Sequence, residues 1–110
     1  MKKVYRILKN QEFKKILDQR KRSQNDSFKI AYTNKSFDHA RLGISVSKKL
    51  GNAVIRNKIK RQVRMMVDYI VDFNAYEYDV IIIVKKEYLL KSYETNQNYL
   101  ETLLKKCKIK

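Results

Sequence analysis

The chain has no proline, no tryptophan, two glycines, one cysteine and one histidine among 110 residues. Each scarcity excludes something. Without proline and with so little glycine there is no flexible linker and no low-complexity segment. Cys107 alone cannot form an internal disulfide, which fits a reducing cytoplasm. His39 and Cys107 lie far apart in sequence, too few to cage a zinc ion or pair as a nucleophile and its base. His39 follows Asp38 in a polar stretch and is expected in an exposed turn. No serine sits in a nucleophile elbow, and two glycines cannot build a dinucleotide or P-loop phosphate cradle. The longest apolar run, Val80 to Val84, is far short of a membrane span, and no secretory signal is expected behind the charged start.

What remains is charge. The 26 Lys and Arg against 11 Asp and Glu leave a net charge of +15. Between Asp38 and Asp68 there is no acidic residue, while Arg41, Lys48, Lys49, Arg56, Lys58, Lys60, Arg61 and Arg64 fall in that gap. A merely solvated face would mix both signs, and a membrane-surface helix needs large apolar residues with no competing core role. A polyphosphate is the partner that fits, and RNA is the expected ligand. The scattered carboxylates offer no two-metal nuclease site, so no catalysis by protein side chains is expected. A nuclease in its own right is the disfavoured alternative.

The hydropathy pattern gives one domain spanning residues 1–110. Residues 10–20 read as an amphipathic helix with Phe13, Ile16 and Leu17 on one face and Asn10 as its N-cap. Residues 27–34 and 41–47 alternate as strands, and together predict an antiparallel hairpin. In the second strand Leu42, Ile44 and Val46 oppose the small set Gly43, Ser45 and Ser47, so something packs closely over the small side. After Gly51-Asn52, a helix is predicted from about 53 to 73. Ile55, Ile59, Val63, Met66 and Ile70 make its core stripe within about 80° of the wheel. Arg56, Asn57, Lys60, Arg61 and Arg64 form a separate basic arc of about 140°, and Lys58 lies apart. The unbroken apolar run in residues 79–85 predicts a central strand covered on both faces. A last helix starts at Ser92, with Leu100, Leu103, Leu104 and Cys107 on one side. The expected fold class is α+β: a two-layer α/β sandwich of order α-β-β-α-β-α, with a small mixed sheet and a split β-α-β unit. Base rates favour a right-handed crossover.

The 24 residues from Arg41 to Arg64 (RLGISVSKKLGNAVIRNKIKRQVR) resemble the signature of the bacterial ribonuclease P protein component. The Ser-Val-Ser-Lys-Lys strand end, the Gly-Asn-Ala-Val turn and the Arg-Asn-Arg-type helix follow in order, with Lys58 replacing the third arginine. Chain length, Glu12-Phe13, the strand from Tyr78 to Val84 and Ser92 to Glu94 agree as well. The resemblance implies a ribosomal-protein-like sandwich with a left-handed crossover. It implies a protein subunit that assists a catalytic RNA in removing the 5′ leader of precursor tRNA. The partners would be ribonuclease P RNA and precursor tRNA, with no membrane and no small-molecule substrate. Mg2+ would be required by the RNA-containing holoenzyme and not bound by protein side chains. Lys48, Lys49, Asn52, Arg56, Asn57, Lys58, Lys60, Arg61 and Arg64 would bind the RNA subunit. Phe13, Leu17, Ile30 and Tyr32 would line a leader cleft, where a ring can stack any base; the same four also fit a plain hydrophobic core. A generic structural RNA-binding protein of ribosomal type explains charge and fold equally well, and only the 24-residue signature speaks against it.

Overall fold

A computed structural model describes residues 2–18 and 21–108, the side chains of 107 and 108 excepted. Three helices, α1 (Asn10–Leu17), α2 (Ala53–Ile70) and α3 (Tyr93–Lys108), surround four strands, β1 (Arg22–Gln24), β2 (Phe28–Asn34), β3 (Leu42–Val46) and β4 (Tyr78–Val84). The class is α+β, as expected, with the order α-β-β-β-α-β-α. The short strand β1 has too few residues to alternate visibly in sequence.

The sheet order is β1-β2-β4-β3, antiparallel except for the parallel pair β3 and β4. The predicted hairpin is therefore corrected: β2 and β3 do not pair, because β4 inserts between them. The strands of the β-α-β unit are in turn direct neighbours, with no strand splitting them. The physical reason lies in β4 itself. Val80, Ile81 and Ile82 are all fully buried, and only the central position covers both faces of one strand.

The two faces are unequal. Phe28, Ile30, Tyr32, Leu42, Val46, Val80, Ile82 and Val84 point toward α2 and α3 and join Ile59, Val63, Met66, Val67, Leu100, Leu103 and Leu104 in the main core. The predicted core stripes of α2 and α3 are thus seated, except that Ile55 is largely exposed. The Cys107 side chain lies outside the described residues. On the opposite face α1 alone packs. Ile16 lies buried with Ile7, Ala31 and Ile81, flanked by half-buried Phe13, Leu17 and Ile83.

Local chemistry sets the ends of the elements. Asn52 caps α2, its Oδ1 accepting from Ile55 N–H at 3.0 Å. Gly51 before it has φ +149°, a conformation that side chains avoid. Ser92 Oγ accepts from Thr95 N–H at 3.1 Å at the start of α3. Asn10 does not cap α1: Lys9 occupies the cap position without a side-chain bond, and Asn10 is already helical. The Arg22 guanidinium donates to Leu17 O and ties β1 to the end of α1.

The small side of β3 is where α1 docks. A Cβ added to Gly43 would stand 2.5 Å from Phe13 Cζ and 2.9 Å from Ile81 Cδ1. Gly43→Ala is expected to destabilise the fold by about 1–3 kcal/mol through overpacking. Urea unfolding should show a lower midpoint at unchanged slope. An unchanged midpoint would mean that α1 moves aside freely.

Candidate nucleic-acid interface

Helix α2 divides its surface in two. Arg56, Lys60 and Arg64 recur every fourth residue along one flank, half-buried, with Asn57 and Arg61 exposed beside them. No carboxylate lies within 4.0 Å of Arg56, Arg61 or Arg64 among the described residues. The Nε atoms of Arg56 and Arg64 are buried and unpartnered. Burial and then the nearby Arg6 charge push the Arg64 guanidinium below its ordinary value. A half-desolvated row of cations is costly alone and well suited to phosphate oxygens, which supply both charge and acceptors.

Lys48 and Lys49 are exposed on the 3-10 turn Lys48–Leu50, which joins β3 to α2. Ser47 Oγ accepts from Lys49 N–H at 3.2 Å, so the strand end is turned by its own hydroxyl. Asn52 is exposed, but its side-chain oxygen is engaged in the helix cap. Lys58 stands apart from the other cations. It lines a groove of about 400 Å³ with Ile55, Gln62, Tyr88, Leu89 and Tyr93. In that groove the Tyr88 hydroxyl donates to Gln62 Oε1 at 2.8 Å, and burial, then Tyr93, pushes its pKa up to about 12.

Arg41, which the acid-free gap had grouped with the other cations, belongs to the interior. It is 8% exposed and pairs with Glu12 Oε2 at 2.6 Å and Asp79 Oδ2 at 3.0 Å. Its backbone N–H also donates to Asp79 Oδ1 at 3.0 Å. Burial opposes its charge, but the bonds from Glu12 and Asp79 prevail and hold the guanidinium above its ordinary value. Sequence contains one hint of this: Asp79 is the lone acid at the head of an apolar strand. His39 is half-buried, its ring edge-on to Tyr5 at 5.2 Å, and not in an open turn.

The four cleft residues separate. Phe13 and Leu17 are half-buried on α1, but Ile30 and Tyr32 lie on the opposite face of the sheet, 0% and 2% exposed. Tyr32 packs edge-on to Tyr78 at 5.1 Å. Ile30 and Tyr32 are therefore core, and cannot reach a ligand beside α1. The face shared with α1 carries the other parity. Ala31, Ile81 and Gly43 form a cross-strand row under the helix. The next row, Lys29, Ile83 and Ser45, is only half covered. These were missed because β2 alternates equally well either way, although the small Gly43 and Ser45 already marked the face that admits a helix.

Among the described residues no three His, Cys, Asp or Glu side chains converge to hold a metal ion. Glu12 and Asp79 both pair with the Arg41 guanidinium. No described helix is long and apolar enough to cross a membrane. Asp79→Asn should therefore cost about 3–5 kcal/mol by stranding buried Arg41. Glu12→Gln, at the more open end, should cost about 1 kcal/mol or less. Chemical denaturation of the two variants checks the order, and equal costs would refute it.

Comparisons with known proteins agree with the fold. The family model Ribonuclease P matches residues 1–108. The ribonuclease P protein component of Mesoplasma florum is 43% identical over 99 residues, covering 89% of this chain and 90% of that protein. The structure of a Staphylococcus aureus RNase P protein mutant with defective mRNA degradation activity superposes with TM-score 0.85 at 40% identity, covering 96% of this chain and 90% of the other. The RNase P protein from Thermotoga maritima gives TM-score 0.78 at 30% identity, covering 92% and 96%.

Proposed function

Since this chain belongs to the ribonuclease P protein family, we propose that the basic flank of α2 grips the catalytic RNA while the half-covered face of the sheet holds the 5′ leader of precursor tRNA. Membership makes the chain the protein component of an endoribonuclease whose catalysis is by RNA, with ribonuclease P RNA as its partner. The finer assignments are our own reading.

The observation that carries the RNA-binding assignment is the uncompensated cation row. Among the described residues Arg56, Lys60 and Arg64 pair with no carboxylate, and they sit on one helix. Arg61 and Asn57 stand proud of it, Lys48 and Lys49 extend it, and the amides near Asn52 offer a phosphate site at the helix start. Asn57 suits a ribose hydroxyl or base edge. Lys58, on the other side of the helix, meets RNA only where the RNA wraps past the first turn.

For the leader, the supporting feature is a face that one short helix leaves partly open. Phe13 and Leu17 form one wall, and Lys29, Ile83 and Ser45 the floor. A ring, an aliphatic floor and a lysine accept a single strand with little regard to sequence. That suits leaders that differ between precursors. Magnesium is carried by RNA phosphates in this reading, since the chain's own convergent carboxylates close on Arg41. The site of action is the bacterial cytoplasm, where precursor tRNA is processed.

The test is reconstitution with a bacterial ribonuclease P RNA at low magnesium. Arg61→Ala should weaken binding to that RNA and flatten its salt dependence by about one unit of slope. Phe13→Ala should reduce the preference for precursor over mature tRNA, with loss of about 1–3 kcal/mol if a base stacks there. Unchanged RNA affinity in Arg61→Ala would refute the helix assignment, and unchanged preference in Phe13→Ala would refute the leader face.

A further inference from the structure

Helix α1 is eight residues long, and a helix of that length is marginal in water by itself. Its place is set by what holds it. Lys9 at its N-cap makes no side-chain bond, and Ile16 is its one buried residue. At its far end the Arg22 guanidinium donates to Leu17 O. In its first turn the hold is electrostatic, with Glu12 Oε2 meeting the Arg41 guanidinium at 2.6 Å. Packing does not duplicate that contact. A cavity of about 130 Å³ bounded by Glu12, Ile16, Arg41 and Asp79 lies beside it, so the helix is not wedged against the sheet there.

Arg41 is a fixed post for this contact. Asp79 takes bonds from its guanidinium and its backbone N–H, each at 3.0 Å, and the Phe37 ring centre lies 4.6 Å from the guanidinium carbon. Glu12 therefore takes its position from the central strand and passes it to α1. Glu12 and Ile16 are four residues apart and share one side of the helix. Two points held on one side fix the rotation of a helix about its axis. Phe13 follows Glu12 directly, so the direction of its ring depends on that rotation. The ring tip sits over Gly43, where an added Cβ would stand 2.5 Å from Cζ, and half-buried Ile83 belongs to the same cluster.

We propose that Glu12 is a positioning residue for the leader face: held by Arg41 on Asp79, it fixes the rotation of α1 and with it the place of the Phe13 ring against which a leader base stacks. The proposal rests on the leader reading above. A ring already held where the base needs it binds without the ordering cost of a loose one. The sign of the Glu12 charge separates this role from a passive one. A carboxylate near an RNA strand repels it, so neutralising a bystander would tighten leader binding. Neutralising a positioning residue loosens it.

The experiment uses the reconstituted holoenzyme and measures affinity for precursor and for mature tRNA, with KM and kcat for leader removal. Glu12→Gln should lower the precursor-to-mature affinity ratio about fivefold, a part of the loss that removing the ring causes. KM for precursor should rise while kcat holds, because the RNA subunit carries the chemistry. Affinity for mature tRNA and for the RNA subunit should stay unchanged. Glu12→Asp, which keeps the charge and shortens the reach, should fall between. In a Phe13→Ala background Glu12→Gln should have no further effect, since it acts through the ring. Gln11→Ala, at an exposed position on the same helix, should leave the ratio intact. Urea unfolding establishes that each variant is folded, and Glu12→Asp carries the same comparison if Glu12→Gln does not fold. An unchanged or raised ratio in a folded Glu12→Gln overturns the proposal. So does an equal loss for mature tRNA, or a full further loss in the Phe13→Ala background. An equal loss in Gln11→Ala overturns it too. If Phe13→Ala lowers the ratio and Glu12→Gln does not, only the positioning role fails. If Phe13→Ala has no effect, the leader reading fails and the positioning role with it.

Discussion

Asp79 is a buried carboxylate at the head of the central strand, and the architecture is arranged around neutralising it. Arg41 does so twice, through its guanidinium and its backbone N–H. Val80 N–H donates to Arg41 O at 3.0 Å, which continues the same contact into the parallel ladder. The pair therefore sets where β3 begins against β4. From there Gly43 falls opposite Ile81, and the opening for Phe13 is fixed. Glu12 adds a third charge from α1, so the helix is pinned over that opening by the same guanidinium. Buried ion pairs contribute little net stability, but they penalise every wrong partner heavily. In a mixed sheet with one half-covered face, that specificity matters more than the stability.

The triad also separates two populations of cations. Arg41 is balanced internally and has no charge left for a ligand. The row on α2 holds no such partner among the described residues, and it adds to the +15 total. Such a surface destabilises the free protein by self-repulsion and is relieved when RNA supplies the opposite charge. The low stability of the isolated charge pattern and the affinity for RNA are thus one property seen in two states.

Legibility in the sequence followed how many constraints acted on each residue. β4 was readable as central because an apolar run without alternation has one solution. α2 was readable because a core stripe runs from Ile59 to Ile70 and a basic arc from Arg56 to Arg64 lies beside it. Its cap, Asn52 after Gly51, is local chemistry that survives any tertiary context. What failed was pairing and parity. Residues 27–34 and 41–47 look like a hairpin, since nothing local says that a strand forty residues later will insert between them. Ile30 and Tyr32 were placed beside Phe13 by the resemblance, and apolar alternation could not correct it, because it does not name the face it serves. The register names it: Ala31 stands opposite Ile81, and Ile81 opposite Gly43, so the small residues share the α1 side and the large ones the other. β1 was lost for want of length. The Arg41 pairing was lost because its partners lie on two other elements.

The division of labour between the faces has a physical logic. A sheet face covered by two long helices can bury large side chains completely, and there Phe28, Ile82 and Met66 lose all contact with solvent. The opposite face is served by eight residues of helix, which cover one row of the sheet and leave the next half exposed. The half-covered row leaves Ile83 as an apolar floor beside the Phe13 ring and Lys29. A protein that lends geometry to a catalytic RNA needs no reactive side chain of its own. In the proposed reading it needs a rigid cationic edge and a surface left unfinished, beside which the Arg41–Glu12 pair holds α1 in place.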